Sequence, residues 1–217
     1  MLSNKQKNTL EIIDSLVENH FNGESTGHDY QHIKRVVNLT SRLIAKEDNA
    51  FVPLCIAYFH DVFDDKISPT DNLDKSLREL FIEWNLDLEG NETEIILGVS
   101  QIGYRGGYGV RDKIKSAQYV SDADLIDSMG AIGIARTFYY AGSKGTPIYD
   151  PNLVGQSYSN FEEYRNVERN AIDHFDEKLL KIIDWVTTPE GIKIAKRRQA
   201  LMQEYYDQFY LEIEETS

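Results

Sequence analysis

The chain of 217 residues contains one cysteine, Cys55, so no internal disulfide can form. That excludes the small disulfide-stapled scaffolds and suits a reducing cytosol. Cys55 lies in the apolar run Ala50 to Phe59 and reads as a small buried hydrophobe. Long hydrophobic runs are missing as well. That run is the longest in the chain, well short of the ~20 apolar residues that cross a bilayer. The N-terminal MLSNKQKNTLEIID lacks the apolar core of a signal peptide. Positive charge is scarce: 23 Lys and Arg stand against 36 Asp and Glu, a net charge of −13. A nucleic-acid binder needs a basic face, and anionic membranes repel an acidic one, so neither is an expected partner. The expected setting is cytoplasmic. Strand signals are also absent: apolar–polar alternation never runs far, and turn residues do not recur at hairpin spacing.

Helical periodicity is what the chain has in quantity. Apolar residues make up 41% and charged residues 27%, as in an ordinary globular protein. Residues 3–20 carry Leu10, Ile13, Leu16 and Val17 on one face. Residues 28–46 carry Ile33, Val36, Val37, Thr40, Leu43 and Ile44 as one stripe. Residues 50–62 read as a central buried helix with Pro53 in its first turn. Thr70 or Asp71 is placed to cap a helix with Leu73, Leu77, Leu80 and Trp84 inside. Further helices are expected over 91–101, 112–140 with a break near Gly130, and 160–187. Pro189 opens a last helix running to about residues 210–212. Two irregular loops interrupt the pattern, GVSQIGYRGGYGVR at 98–111 and the Gly- and Pro-containing stretch 141–159. The expected fold is all-α, a single-domain helical bundle over residues 1–217 with its core at about 20–187.

Chemistry concentrates around a few polar residues set in apolar surroundings. His32 stands beside the stripe, with Val36 and Leu39 at +4 and +7, and so points to the core. His60 and Asp61 end the most apolar helix, where an ionisable pair is costly unless compensated. Asp124, in YVSDADLID, is another acid where the pattern expects core. Two imidazoles and two carboxylates suit a divalent ion such as Mn, Fe, Co or Ni. A set of hydrogen-bonded core residues is the alternative, and periodicity alone does not choose. Asp64 and Asp65 follow at one helical turn from His60 and Asp61, and such clustered acids repel one another without a cation. Lys66 and Arg35, the latter at +3 from His32, are candidate phosphate contacts. His28, four residues before His32 with Asp29 beside it, is a candidate outer partner or substrate contact and leans to a structural role; His20 reads as structural, and the sequence does not say whether His174 approaches the site. The Gly-rich loop is no P-loop, since no GxxxxGK[ST] occurs. A di-iron bundle needs paired Glu-x-x-His motifs, and the residues three before the five histidines are Val17, Ser25, Asp29, Ala57 and Ala171.

The segments GHDYQHIKRV, YFHDVFDDK and SDADLIDSMGAIGIAR, in that order, resemble the HD-domain phosphohydrolases, in particular their small bacterial all-helical branch. DHFDEKLLKI and TPEGIKIAKRR extend the likeness over roughly residues 20 to 210. The resemblance implies that His32, His60, Asp61 and Asp124 hold one divalent ion, Mn first, with Mg, Co, Ni or Fe as alternatives. It implies that Asp64 and Asp65 correspond to a catalytic acidic pair. It further implies a nucleotide substrate, hydrolysed from (deoxy)nucleoside triphosphate to monophosphate and pyrophosphate; a homo-oligomer is compatible with this. Phosphomonoester or cyclic-nucleotide hydrolysis on the same site, or a non-catalytic nucleotide sensor, are the alternatives. One departure is Leu125, where the branch often has Arg after the last ligand.

Overall fold

The structure is a computed structural model that describes residues 1–23, 29–63, 70–103, 111–153 and 169–215. Among these, every regular element is helical, as the periodicity requires. The chain divides into two compact units, Met1–Ile102 with Asp112–Ala123, and Gly103–Arg111 with Asp124–Ser217.

The first unit is built on a buried helix. Helix α1 (Asn4–His20) starts at a capping box in which the Ser3 hydroxyl accepts from the Gln6 amide at 3.1 Å and the Gln6 side chain accepts from the Ser3 amide at 3.0 Å. It buries Leu10, Ile13 and Val17. Helix α2 (Tyr30–Leu43) starts at Asp29 and buries the stripe from His32 to Leu43. Helix α3 (Phe51–Phe59) has all nine residues buried, so neighbours surround it on every side. Helices α1, α2 and α5 (Glu92–Ser100) all pack against it. Gly98 lets α5 come close: a Cβ there would stand 2.2 Å from Ile56 Cδ1. Helix α4 (Leu73–Glu83) is capped by Asn72, whose side chain accepts from the Lys75 amide at 3.0 Å. The cap expected at Thr70 or Asp71 is thus one or two residues further on; the Thr70 hydroxyl instead accepts from the Asn72 amide at 3.2 Å.

Helix α6 (Lys115–Asp127) has residues in both units. In the first, the Tyr119 hydroxyl donates to Asp48, and Lys115 pairs with the same carboxylate at 2.8 Å. The second unit holds α7 (Gly130–Ser143), a short α8 (Asp173–Glu177), a 3₁₀ helix over Leu179–Trp185, and the long α9 (Pro189–Glu215). The expected break near Gly130 is real: Gly130 has φ +70° and opens α7. The helix expected over 160–187 is not continuous. Residues 154–168 lie outside the described residues. Beyond them the Ala171 and Ile172 amides donate to the carbonyls of Pro147 and Ile148, at 2.8 and 3.3 Å. The chain then breaks at Lys178, φ −134°, and Leu179, Ile182 and Trp185 bury themselves at a spacing of three. That spacing is the 3₁₀ period.

Of the loop 98–111, residues 104–110 lie outside the described residues. Its last residue, Arg111, lies over the Trp185 ring at 3.4 Å from the centroid and donates to the Asp184 carbonyl at 3.2 Å. Arg111 is therefore an anchor within the second unit. Among the described residues no helix is long and apolar enough to cross a membrane. Cys55 is fully buried, and burial pushes its thiol well above the ordinary range.

Candidate functional site

His32 owes its place to the first turn of α2. The Asp29 carboxylate caps that turn by accepting from the His32 amide at 2.8 Å, which fixes the backbone from which the imidazole projects. His60 follows directly on α3, with φ −59° and ψ −32°, so it continues the helical path by one residue. Its Nδ1 lies 2.8 Å from the Ala57 carbonyl. A carbonyl only accepts, so Nδ1 is the donor, and a neutral His60 carries its lone pair on Nε2.

That Nε2 faces His32 Nε2 at 3.3 Å. Asp61 Oδ2 stands 3.3 Å from His32 Nε2 and 3.5 Å from His60 Nε2. The three ligand atoms form one group within 4.8 Å of one another. Both imidazoles are wholly buried, and the Asp61 side chain, 13% exposed, is the solvent-facing member. A carboxylate oxygen and an imidazole lone pair repel each other at this distance unless a proton or a cation lies between them. Two donors bonded to one ion at ~2.0–2.2 Å stand roughly 3–3.5 Å apart. The spacing, the inward lone pair and the nitrogen–oxygen donor set all fit a divalent cation. The Ala57 carbonyl on Nδ1 is the outer hydrogen bond that orients a ligating histidine.

The remaining residues singled out from the sequence fall as follows. Arg35 is half-buried on α2, one turn from His32. Asp124 lies on α6, half-buried, in the second unit, as does His174 on α8. Asp64, Asp65, Lys66 and His28 lie outside the described residues. His20 ends α1, where its Nε2 meets the Val62 carbonyl at 3.3 Å and its ring stands edge-on to Phe21 and Trp84. Sequence reasoning passed over Asp29 as a cap for His32 and Ala57 as the partner of His60. The first was legible as an acid three residues before His32, on the edge of an apolar-periodic run.

No protein-family model matches the chain. Among curated proteins it is similar to YpgQ of Bacillus subtilis, 28% identical over 213 residues and covering 96% of each chain. Among solved structures it is similar to a Lactobacillus plantarum protein, 31% identical with a TM-score of 0.80 over 98% of both chains. The complex of Bacillus subtilis YpgQ with ADP matches at 28% identity and a TM-score of 0.71, over 94% of this chain and 97% of that one. An HD-superfamily hydrolase from Bacillus thuringiensis matches at 27% identity and a TM-score of 0.72, over 96% of this chain and 98% of that one. With a buried His–His–Asp cluster and full-length likeness to such proteins, the chain belongs to the HD superfamily of metal-dependent hydrolases, as a relative of YpgQ.

Proposed function

We propose that this hydrolase cleaves nucleoside triphosphates, deoxy forms included, to monophosphate and pyrophosphate in the cytoplasm. The observation that carries the reading is the inward-facing pair of imidazole nitrogens with Asp61 beside them. The ADP bound to YpgQ supports a nucleotide as the ligand class. His32, His60 and Asp61 hold the divalent cation, Mn²⁺ in the first instance, and the sequence motif adds Asp124 as a fourth ligand. When bound, such a cation would lower the pKa of its water toward neutral and offset phosphate charge. Asp61, the solvent-facing member of the cluster, is the ligand nearest to an incoming substrate. Asp64 and Asp65 take the proton from the attacking water or hold it in line. Arg35 and Lys66 supply positive charge to phosphate oxygens, which a chain of net charge −13 must provide locally. The whole chain acts as one HD-type domain, a reading supported by coverage of 96% of YpgQ.

The test is a nucleotide panel with purified protein and Mn²⁺, with products identified. Pyrophosphate release, abolished in Asp61→Ala, is the expected result. Release of inorganic phosphate alone would move the assignment to a phosphomonoesterase. Tight nucleotide binding without turnover would make the protein a sensor.

A further inference from the structure

We infer that α9 pairs antiparallel with α9 of a second copy of this chain, Leu201 of each packing on Leu211 of the other. Helix α9 packs on α7 and on the 3₁₀ helix, and Ala195 and Met202 are wholly buried. The opposite face carries Arg197, Leu201, Glu204, Gln208, Leu211 and Glu215, all exposed. Their alternating steps of four and three residues are the spacing of a coiled-coil seam. Its two apolar members stand well out of the surface, Leu201 at 44% and Leu211 at 49% exposure.

Charge selects the occupant of that seam. All the basic residues of α9, Lys193, Lys196, Arg197 and Arg198, lie in its first half. Its acids follow them, Glu190 excepted, and Glu212, Glu214 and Glu215 crowd the C-terminal end. In a lone helix this order is unfavourable, because the dipole favours acids at the N-terminus and bases at the C-terminus. A second α9 laid antiparallel sets each basic half against an acidic half, whereas a parallel one sets like against like. A two-fold axis at the level of residue 206 fixes the register. Arg197 then faces Glu215 of the second copy, Leu201 faces Leu211 and Glu204 faces Gln208, and symmetry makes each contact twice. Centring the axis on Glu204 instead would oppose that carboxylate to itself. The two Asp207 side chains flank the axis and weaken the pair. The seam from 197 to 215 is about 27 Å long at ~1.5 Å per residue. That is a small interface, of the transient class below ~1,200 Å².

The experiment is sedimentation velocity of the full chain from about 5 to 500 µM, a range that brackets a micromolar Kd. Wild type should pass from monomer to dimer across it, with Kd rising in about 1 M salt, where the screening length falls to ~3 Å. Leu201→Glu should stay monomeric throughout. Arg197→Glu and Glu215→Arg should each raise Kd by about five- to thirtyfold, since each removes a surface ion pair twice. The double variant Arg197→Glu with Glu215→Arg should return to within about threefold of wild type, because the pair is restored with its charges exchanged. A second readout fixes the direction. Under mild oxidation, Leu201→Cys mixed with Leu211→Cys should give a cross-linked heterodimer. Neither variant alone should cross-link, because like positions lie ~15 Å apart along the pair, beyond disulfide reach. The native Cys55 is wholly buried and does not compete. A chain monomeric at every concentration overturns the inference. So does a dimer that survives Leu201→Glu, a charge exchange that restores nothing, or Leu201→Cys cross-linking to itself. These measurements need neither metal nor nucleotide, so their outcome is separate from that of the proposed function.

Discussion

Helices α3 and α9 treat polar residues in opposite ways. All nine residues of α3 are buried, so the His60 and Asp61 that follow it arrive where water is scarce. Something must compensate them, and the Ala57 carbonyl and His32 begin to do so. Helix α9 runs 27 residues and fully buries only Gly191, Ile194, Ala195 and Met202. Most of its charges are exposed, and its aromatic residues serve packing: Tyr205 and Tyr206 stack on Phe175 at 5.6 and 5.8 Å. A polar residue at the end of a fully buried helix is thus a strong sign of chemistry. The same residue on a long amphipathic helix signifies solvation.

The sharpest way to break this contrast is to remove a group at the end of α3. Asp61→Ala and His60→Ala should each lower metal affinity by more than the roughly 10–100-fold of an outer partner, with turnover falling in parallel. The metal-free melting temperature should hardly fall, since each change also relieves a crowded set of buried polar groups. A large loss of metal-free stability with metal affinity intact would place these residues in ordinary packing. Matched Arg and Lys substitutions on the exposed face of α9, Gln203→Lys for example, should leave affinity unchanged.

Next in size is a pair of glycine substitutions. Gly98→Ala would drive a Cβ to 2.2 Å from Ile56 Cδ1 in the packing of α5 on α3. Gly130→Ala must hold φ +70° and meets Arg198 Cγ at 3.0 Å, next to the guanidinium that donates to the Ile126 carbonyl at 2.5 Å. Each should destabilise by about 1–3 kcal/mol, read by urea unfolding. Only Gly98→Ala should also weaken Mn²⁺ binding in the folded protein, because Ile56 lies on the helix that delivers His60. Equal effects of both on metal affinity would erase the distinction between the two helices.

A smaller effect is expected at the cap of α2. Asp29→Ala removes the acceptor for the His32 amide and should cost about 1 kcal/mol in chemical unfolding. Metal affinity should fall by a few-fold, since the imidazole keeps its packing. An affinity loss as large as that of His60→Ala would make Asp29 part of the centre itself.

These residues also mark how far the sequence could be read. The stripe of α2 and the buried run of α3 are legible because burial leaves a period, and the periods match the elements. His60 and Asp61 are legible for the reason given above. After residue 170 the sequence reads as one helix because Phe175, Leu179 and Ile182 satisfy a helical spacing. Leu179, Ile182 and Trp185 satisfy the 3₁₀ spacing equally well, and a short window does not separate the two. The hydrogen bonds of Asp14 to Tyr30 and Lys34 are not legible for a different reason. The partners lie 16 and 20 residues away, and Asp14 itself is an ordinary acid on an amphipathic helix. Pairings of that kind leave no local period.

The smallest prediction tests whether burial also governs a carboxylate in the second unit. Glu177, on α8, is mostly buried beside Arg169, to which it is hydrogen-bonded. Burial raises its pKa above the ordinary 4.5, outweighing the lowering by the Arg169 charge. For a group whose folded pKa is raised, the stabilising contribution is complete below the unfolded pKa and is lost as pH rises through the folded pKa. Unfolding measured from pH 4 upward should therefore show the wild type losing this contribution as pH rises through the raised folded pKa, whereas Glu177→Gln, which keeps an acceptor for Arg169, should not. The quantity to plot is the difference between the two proteins, which removes the titrations they share. A difference that changes in the opposite direction over this window would mean that Arg169, and not burial, sets the behaviour of Glu177. The second unit would then stabilise its charges by pairing, in contrast to the clustered His32, His60 and Asp61 of the first.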